Sequence, residues 1–154
     1  MSTIRAYRLV KRKWRQAAFD GEGARLYGGR WNSKGKACVY LAGSASLAML
    51  EVMVHLDDYQ LLEHYTLLEA TLQKSSLMSL SADSLPKDWA VEPAPASTAE
   101  IGDNWLESQS SLALAVPSAV VPRERNYLIN PGHTHFQALV DSATEIAFTP
   151  DKRL

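Results

Sequence analysis

The chain is 154 residues long, 46% hydrophobic and 21% charged, with a formal net charge of −1 at neutral pH. That length allows most of the apolar surface to be buried around one core, the composition is that of a folded globular chain, and no apolar run approaches the roughly 20 residues that cross a bilayer. The single cysteine, Cys38, excludes an internal disulfide and agrees with a reducing cytoplasm.

The opening Met1-Ser-Thr-Ile-Arg lacks the charged-then-apolar pattern of an export signal, which also points to the cytoplasm. Ile4 to Val10 alternates as a first strand, with Arg5 and Tyr7 on one face and Ala6 and Arg8 on the other. Trp14 to Phe19 reads as a short helix, and the glycine-rich stretch Gly21 to Gly35 as a long loop. Ala37 to Leu41 is a second strand, followed by a turn in which Ser44 or Ser46 caps a helix. That helix, Ser46 to Asp57, places Leu47, Leu50 and Val54 along one expected core stripe, with Glu51 and His55 one turn apart.

Thr66 to Leu72 reads as a strand, Ser75 to Ala99 as an irregular connection around Trp89, and Ile101 to Gln109 as a short helix anchored by Trp105 and Leu106. Three β-prone segments follow, Leu112 to Val116, Ser118 to Val121 and Tyr127 to Ile129, punctuated by Pro117, Pro122 and Pro131. The tail from Ala147 pairs briefly at most. With no repeat and no linker long enough to split it, residues 1–154 read as a single α+β domain with a strand-rich core and few helices.

Charge is distributed unevenly. Residues 1–36 carry ten Lys and Arg against two acidic residues, a balance of +8, whereas residues 37–154 carry six against fifteen, a balance of −9. A basic arm of this kind meets phosphate or pairs with the acidic remainder. Lys11, Arg12, Lys13 and Arg15 lack the repeated aromatic interleaving of a nucleic-acid surface, which favours internal pairing.

Several chemistries are absent at the level of motif. There is no Gly-x-x-x-x-Gly-Lys-Ser/Thr loop and no Gly-x-Gly-x-x-Gly fingerprint. Cys38, alone in a strand, reads as a structural thiol. His133 and His135 have no carboxylate or cysteine cluster beside them, so no metal site is expected.

What remains is a set of polar residues where apolar ones are expected. Arg8 interrupts the first strand, Arg30 follows Gly28 and Gly29, Tyr40 ends the second strand, Glu51 lies within an apolar helix, and Ser118 follows a proline in an apolar run. A carboxylate in such a helix is costly unless it has a partner or a task, and Arg30 is either its salt-bridge partner or an anchor for an anionic ligand. Two arginines can clamp a pyrophosphate, and a tyrosine can stack on a heteroaromatic ring. A carboxylate can stabilise positive charge at an anomeric carbon as a glycosidic bond breaks. The two glycines before Arg30 would let backbone approach such a ligand closely.

The pieces Tyr7-Arg-Leu9, Gly29-Arg-Trp-Asn32, Val39-Tyr40, Met49-Leu-Glu-Val-Met-Val-His-Leu56, Val116-Pro-Ser-Ala119 and Asn126-Tyr-Leu-Ile-Asn-Pro131 run in an order that resembles the RES domain family across nearly the whole chain. The family takes its name from an Arg, a Glu and a Ser, matched here by Arg30, Glu51 and Ser118. Tyr40 matches its active-site tyrosine, Arg8 its early strand arginine, and Asn126 begins a family-like Asn-Tyr-Leu segment. The resemblance implies a fold similar to ADP-ribosyltransferases, NAD as substrate, no metal, and a cytoplasmic toxin that depletes NAD and arrests growth. It also implies a partner, an Xre-type helix-turn-helix antitoxin that blocks the pocket and supplies any contact with nucleic acid. On this expectation Arg30, Tyr40, Glu51 and Ser118 carry catalysis, and Arg8, Arg30, Tyr40 and Asn126 contact NAD. Two competing expectations are transfer of ADP-ribose to a protein target and a non-catalytic binding module.

Overall fold

The computed structural model describes residues 2–154. Thr3–Lys11 forms β1 and Tyr65–Gln73 forms β3, paired antiparallel over their full length from Thr3↔Gln73 to Lys11↔Tyr65. Between them in the chain lie α1 (Glu22–Tyr27), β2 (Val39–Ala42) and α2 (Ala45–Met53). After them come β4 (Leu77–Ser79), α3 (Ala96–Ser108), β5 (Ala113–Pro117), β6 (Arg125–Ile129), α4 (Phe136–Ser142) and β7 (Thr144–Ile146). The strands make one seven-stranded sheet in the order β4-β5-β6-β2-β1-β3-β7, with only β4 and β5 parallel. The architecture is α+β with a strand-rich core, as the sequence suggests.

One irregularity in this sheet places the site. β1 and β2 share a single register pair, Tyr7↔Ala42, whereas β2 and β6 share four and β5 and β6 share five. The sheet therefore parts beside Arg8 and Tyr40. Where the ladder lapses, Arg8 Nη1 donates to the Tyr40 carbonyl at 2.9 Å and satisfies an acceptor that the ladder leaves free.

Four apolar clusters hold the sheet among the described residues, the smallest of them Val10, Ala18 and Leu68. Leu9, Leu47, Leu62 and Leu67 pack α2 against β1 and β3. Trp31, Cys38, Trp105, Leu106, Leu114 and Leu128 pack α3 and the Arg30 loop onto β2, β5 and β6. Ala6, Leu41, Leu72, Ile129 and Leu139 bring in α4. Each fully buried leucine of this kind contributes about 1.5–3 kcal/mol relative to exposure.

Local chemistry explains where the elements depart from sequence expectation. The 21–35 stretch is not all loop: Asp20 Oδ1 accepts the Glu22 N–H, and Gly28 at φ +73° ends the single helical run of α1. The basic run folds as a 3₁₀ helix at Arg12–Ala17. α2 is capped by Ser44, whose Oγ accepts the Leu47 N–H at 3.1 Å, and it stops at Met53 rather than Asp57. Asp58 instead caps the next turn through the Gln60 N–H. The expected stripe is also corrected: Leu47 is buried, but Leu50 and Val54 are 38% and 56% exposed, so the buried face centres on Leu47 and Ala48.

β4 was hidden in a serine-rich connection, and α3 begins five residues earlier than Ile101 because Thr98 and Gly102 occupy its buried face. Ser118 to Val121 is a bend and not a strand, since Ser118 Oγ accepts the N–H groups of Val120 and Val121 and folds the chain back on itself. The C-terminal pairing belongs to β7, three residues before the expected tail. Of the basic residues, Arg5 pairs with Glu69 and Arg15 with Glu145, and Arg12 donates to the carbonyls of Glu63 and Tyr65. Among the described residues no helix is long and apolar enough to cross a membrane.

Candidate active site

The parted sheet opens into a cleft of about 1670 Å³ whose lining includes Arg8, Arg30, Tyr40, Glu51 and Asn126. Ser118 lies just behind this wall, fully buried. The six residues singled out from sequence therefore gather around one cavity, although they come from β1, β2, α2, β6, the Arg30 loop and the bend after β5.

Glu51 sits half-buried on α2. Its partner is not Arg30. Ser118 Oγ donates to Glu51 Oε2 at 2.7 Å, and Asn126 Nδ2 donates to the same oxygen at 2.6 Å. Charge-assisted bonds of this length hold the carboxylate in place at the cavity wall and offset the cost of its partial burial.

Arg30 is held elsewhere. Its Nη1 donates to the carbonyls of Trp89 at 2.9 Å and Val91 at 2.7 Å, and its Nη2 pairs with Glu92 at 2.7 Å. Of the two alternatives for Arg30, the salt bridge to Glu51 does not form, and the side chain instead clasps the 89–92 segment. The Arg30 side chain is only 14% exposed, while Glu92 is 78% exposed.

The loop that carries Arg30 rests on α3. Thr98 Oγ1 donates to the Arg30 carbonyl at 2.6 Å, and the Ser33 N–H donates to Asp103 Oδ1 at 2.9 Å. Gly102 lets the Trp31 backbone in: a Cβ at position 102 would lie 1.6 Å from the Trp31 carbonyl oxygen. Sequence reasoning missed this platform because Thr98 and Gly102 carry no hydrophobic signal.

Tyr40 is anchored at its hydroxyl, which donates to Asn32 Oδ1 at 2.6 Å and accepts the Trp31 N–H at 3.0 Å. Burial holds this phenol well above its ordinary range, so it stays protonated. Asn32 is itself buried and donates to the carbonyls of Ala24 and Lys36. Gly29 serves this clasp. A Cβ there would meet Tyr40 Oη at 2.7 Å and Asn32 Oδ1 at 2.8 Å, so its missing side chain makes room for protein groups and not for a ligand.

Arg8 is the unspent cation. Its Nε is buried with no protein partner, and no carboxylate forms an ion pair with it among the described residues. Burial lowers its proton affinity, with Asp20 acting in the opposite sense, and a guanidinium so placed remains charged. Arg8 also lines the cavity, and a guanidinium there without a carboxylate partner is suited to an anionic oxygen.

The remaining candidates make no hydrogen bond to these groups. Cys38 is buried and its thiol is pushed up to about 12 by desolvation, so it is not a nucleophile at neutral pH. His133 and His135 stack edge to face, 5.2 Å between ring centroids, and the described residues hold no group of three or more metal-ligating side chains. His55 borders the cleft, one turn beyond Glu51.

Comparison with known proteins gives three concordant results. Residues 5–151 match the RES domain. A Yersinia enterocolitica protein named Toxin Res is 47% identical over 148 residues, covering 96% of this chain and 97% of that protein. A Sphingobium protein named Prs ADP-ribosylating toxin is 42% identical over 117 residues, covering 74% and 73%. A chain of the crystallised M. tuberculosis MbcT–MbcA toxin–antitoxin complex superposes with a TM-score of 0.72 at 20% identity, over 95% of this chain and 85% of that one, which establishes a shared fold.

Proposed function

The chain belongs to the RES domain family, and from that premise we propose that it is the toxin of a toxin–antitoxin pair and consumes NAD by cleaving the bond between nicotinamide and ribose. The observation that carries this reading is the shared cavity. It has a charged arginine without a carboxylate partner on one wall and a hydrogen-bonded carboxylate on another. A dinucleotide needs both: a cation for its pyrophosphate and an anion for a ribosyl centre that becomes positive as its base leaves.

In this mechanism the Arg8 guanidinium takes a phosphate oxygen, and Arg30 adds a second contact by exchanging Glu92 for the ligand. Tyr40, its hydroxyl already committed to Asn32 and Trp31, offers its ring to the nicotinamide or its ribose. Glu51 stabilises the oxocarbenium-like carbon as the C–N electron pair departs with nicotinamide. Ser118 holds Glu51 in place, and Asn126 lies beside them. Water or phosphate then receives the ADP-ribosyl group.

A second reading, transfer of ADP-ribose to a protein, draws on the name of the Sphingobium relative. The partner in either case is an antitoxin of the Xre type, and the site of action is the cytoplasm. Exposed Trp14, Tyr27 and Val54 border the cleft and offer such a partner apolar contacts.

Purified protein incubated with NAD, with and without phosphate, separates these outcomes. Free ADP-ribose indicates hydrolysis, ADP-ribose-1″-phosphate indicates phosphorolysis, and label carried from NAD onto protein indicates the second reading. Tight, salt-sensitive binding to a partner without NAD turnover would reduce the chain to a binding module.

A further inference from the structure

Both donors at Glu51 address one oxygen. Ser118 Oγ and Asn126 Nδ2 lie 2.7 and 2.6 Å from Oε2, and no protein group among the described residues donates to Oε1. The geometry of each donor is fixed. Ser118 Oγ already accepts the N–H groups of Val120 at 3.1 Å and Val121 at 3.0 Å, so its acceptor positions are filled and its one proton goes to Glu51. The Asn126 amide must present nitrogen to the carboxylate, because its oxygen there would face a second oxygen at the same short distance. Its backbone is pinned on both sides, opposite Ala42 on β2 and Val116 on β5.

We propose that Asn126 is a positioning residue that fixes the rotamer of Glu51, so that Oε2 is the held oxygen and Oε1 the one turned to the reacting carbon. This rests on the NAD-cleavage reading above. It moves Asn126 from a contact with substrate to a group that acts through Glu51. A carboxylate held through one oxygen from β6 and from the bend after β5 cannot swing away from the ribosyl centre, and a misplacement of about 1 Å at such a centre costs on the order of 10²-fold in rate.

The test is steady-state cleavage of NAD by wild type, Asn126→Ala and Asn126→Asp, with thermal unfolding of each. Asn126→Ala is expected to lower kcat by roughly 10- to 100-fold with KM within about twofold. Asn126→Asp keeps the shape but sets an anion beside Glu51, and it is expected to fall further than the alanine variant. A role in packing alone predicts that the isosteric aspartate outperforms alanine, and direct substrate contact predicts a raised KM at unchanged kcat. Either result overturns the proposal.

If the aspartate variant does not fold, Asn126→Ala and Ser118→Ala are compared, and both should lower kcat while sparing KM. A KM effect confined to Asn126→Ala overturns it. Wild type that leaves NAD intact removes the underlying reading together with this one. Wild type that cleaves NAD beside fully active Asn126 variants removes this one alone.

Discussion

At one end of the cleft Glu51 is gripped by Ser118 and Asn126, side chains delivered from the ends of neighbouring strands. At the other, Arg30 is spent on the carbonyls of Trp89 and Val91 and on Glu92, a side chain 78% exposed. The first end is set before any ligand arrives. The second must exchange an internal anion for an external one. Groups on helices and strands are held more closely than groups on loops, and in the proposed mechanism the step sensitive to geometry, stabilising a developing charge, falls to Glu51 on α2 backed by Asn126 on β6. In the same mechanism the step that tolerates adjustment, gripping a phosphate, is shared between Arg8 and a rearrangeable Arg30. Chemistry and capture are separated along one cavity.

The contrast can be broken from either end. Glu51→Gln keeps the shape of the side chain and removes its charge, and it should lower the rate of NAD loss on the order of 10³-fold with the melting temperature little changed. Rate assays alongside a thermal melt read both. Gly102→Ala attacks the platform under Arg30: with Cβ 1.6 Å from the Trp31 carbonyl, α3 must shift. Overpacking of this kind costs about 3 kcal/mol, read as a melting temperature roughly 10 °C lower.

Arg8→Ala should raise KM for NAD by about 10- to 100-fold, the worth of a hydrogen bond to a charged group, and leave kcat within a few-fold. The smallest effect sharpens the picture most. Glu92→Ala frees Arg30 from a solvent-exposed ion pair worth about 0–1 kcal/mol, so KM should fall by no more than about fivefold. A rise in KM would mean that Glu92 assists binding and does not compete with it.

Much of the site was legible because function leaves polar residues in apolar surroundings. Arg8 in a strand, Glu51 in a helix and Ser118 after Pro117 each stand out against the local pattern; Arg8 and Glu51 line one cavity, and Ser118 stands behind Glu51. Their partners were less legible. Opposite charges suggested an Arg30–Glu51 bridge, yet the carboxylate is met by neutral donors, because charge in a sequence says nothing about which loop folds over which residue.

Gly29 and Gly102 were equally opaque. The reason for each is an atom far away in the chain, Tyr40 Oη in one case and the Trp31 carbonyl in the other. The long strands β1 and β3 were read within a residue or two, since nine residues give periodicity room to show. β4 and β7, three residues each, exist only through their pairing partners. Leu50 and Val54 had the spacing of core residues but are exposed, because helical period identifies a face and not what covers it.

In the proposed function this cavity cleaves NAD, with Glu51 as the group that stabilises the ribosyl centre. Release of nicotinamide from NAD by the purified protein, followed by chromatography for wild type and Glu51→Gln under identical conditions, tests it most directly. The account predicts stoichiometric nicotinamide release by wild type and a rate lower on the order of 10³-fold for a folded Glu51→Gln. Nicotinamide release at the wild-type rate by that variant would contradict it.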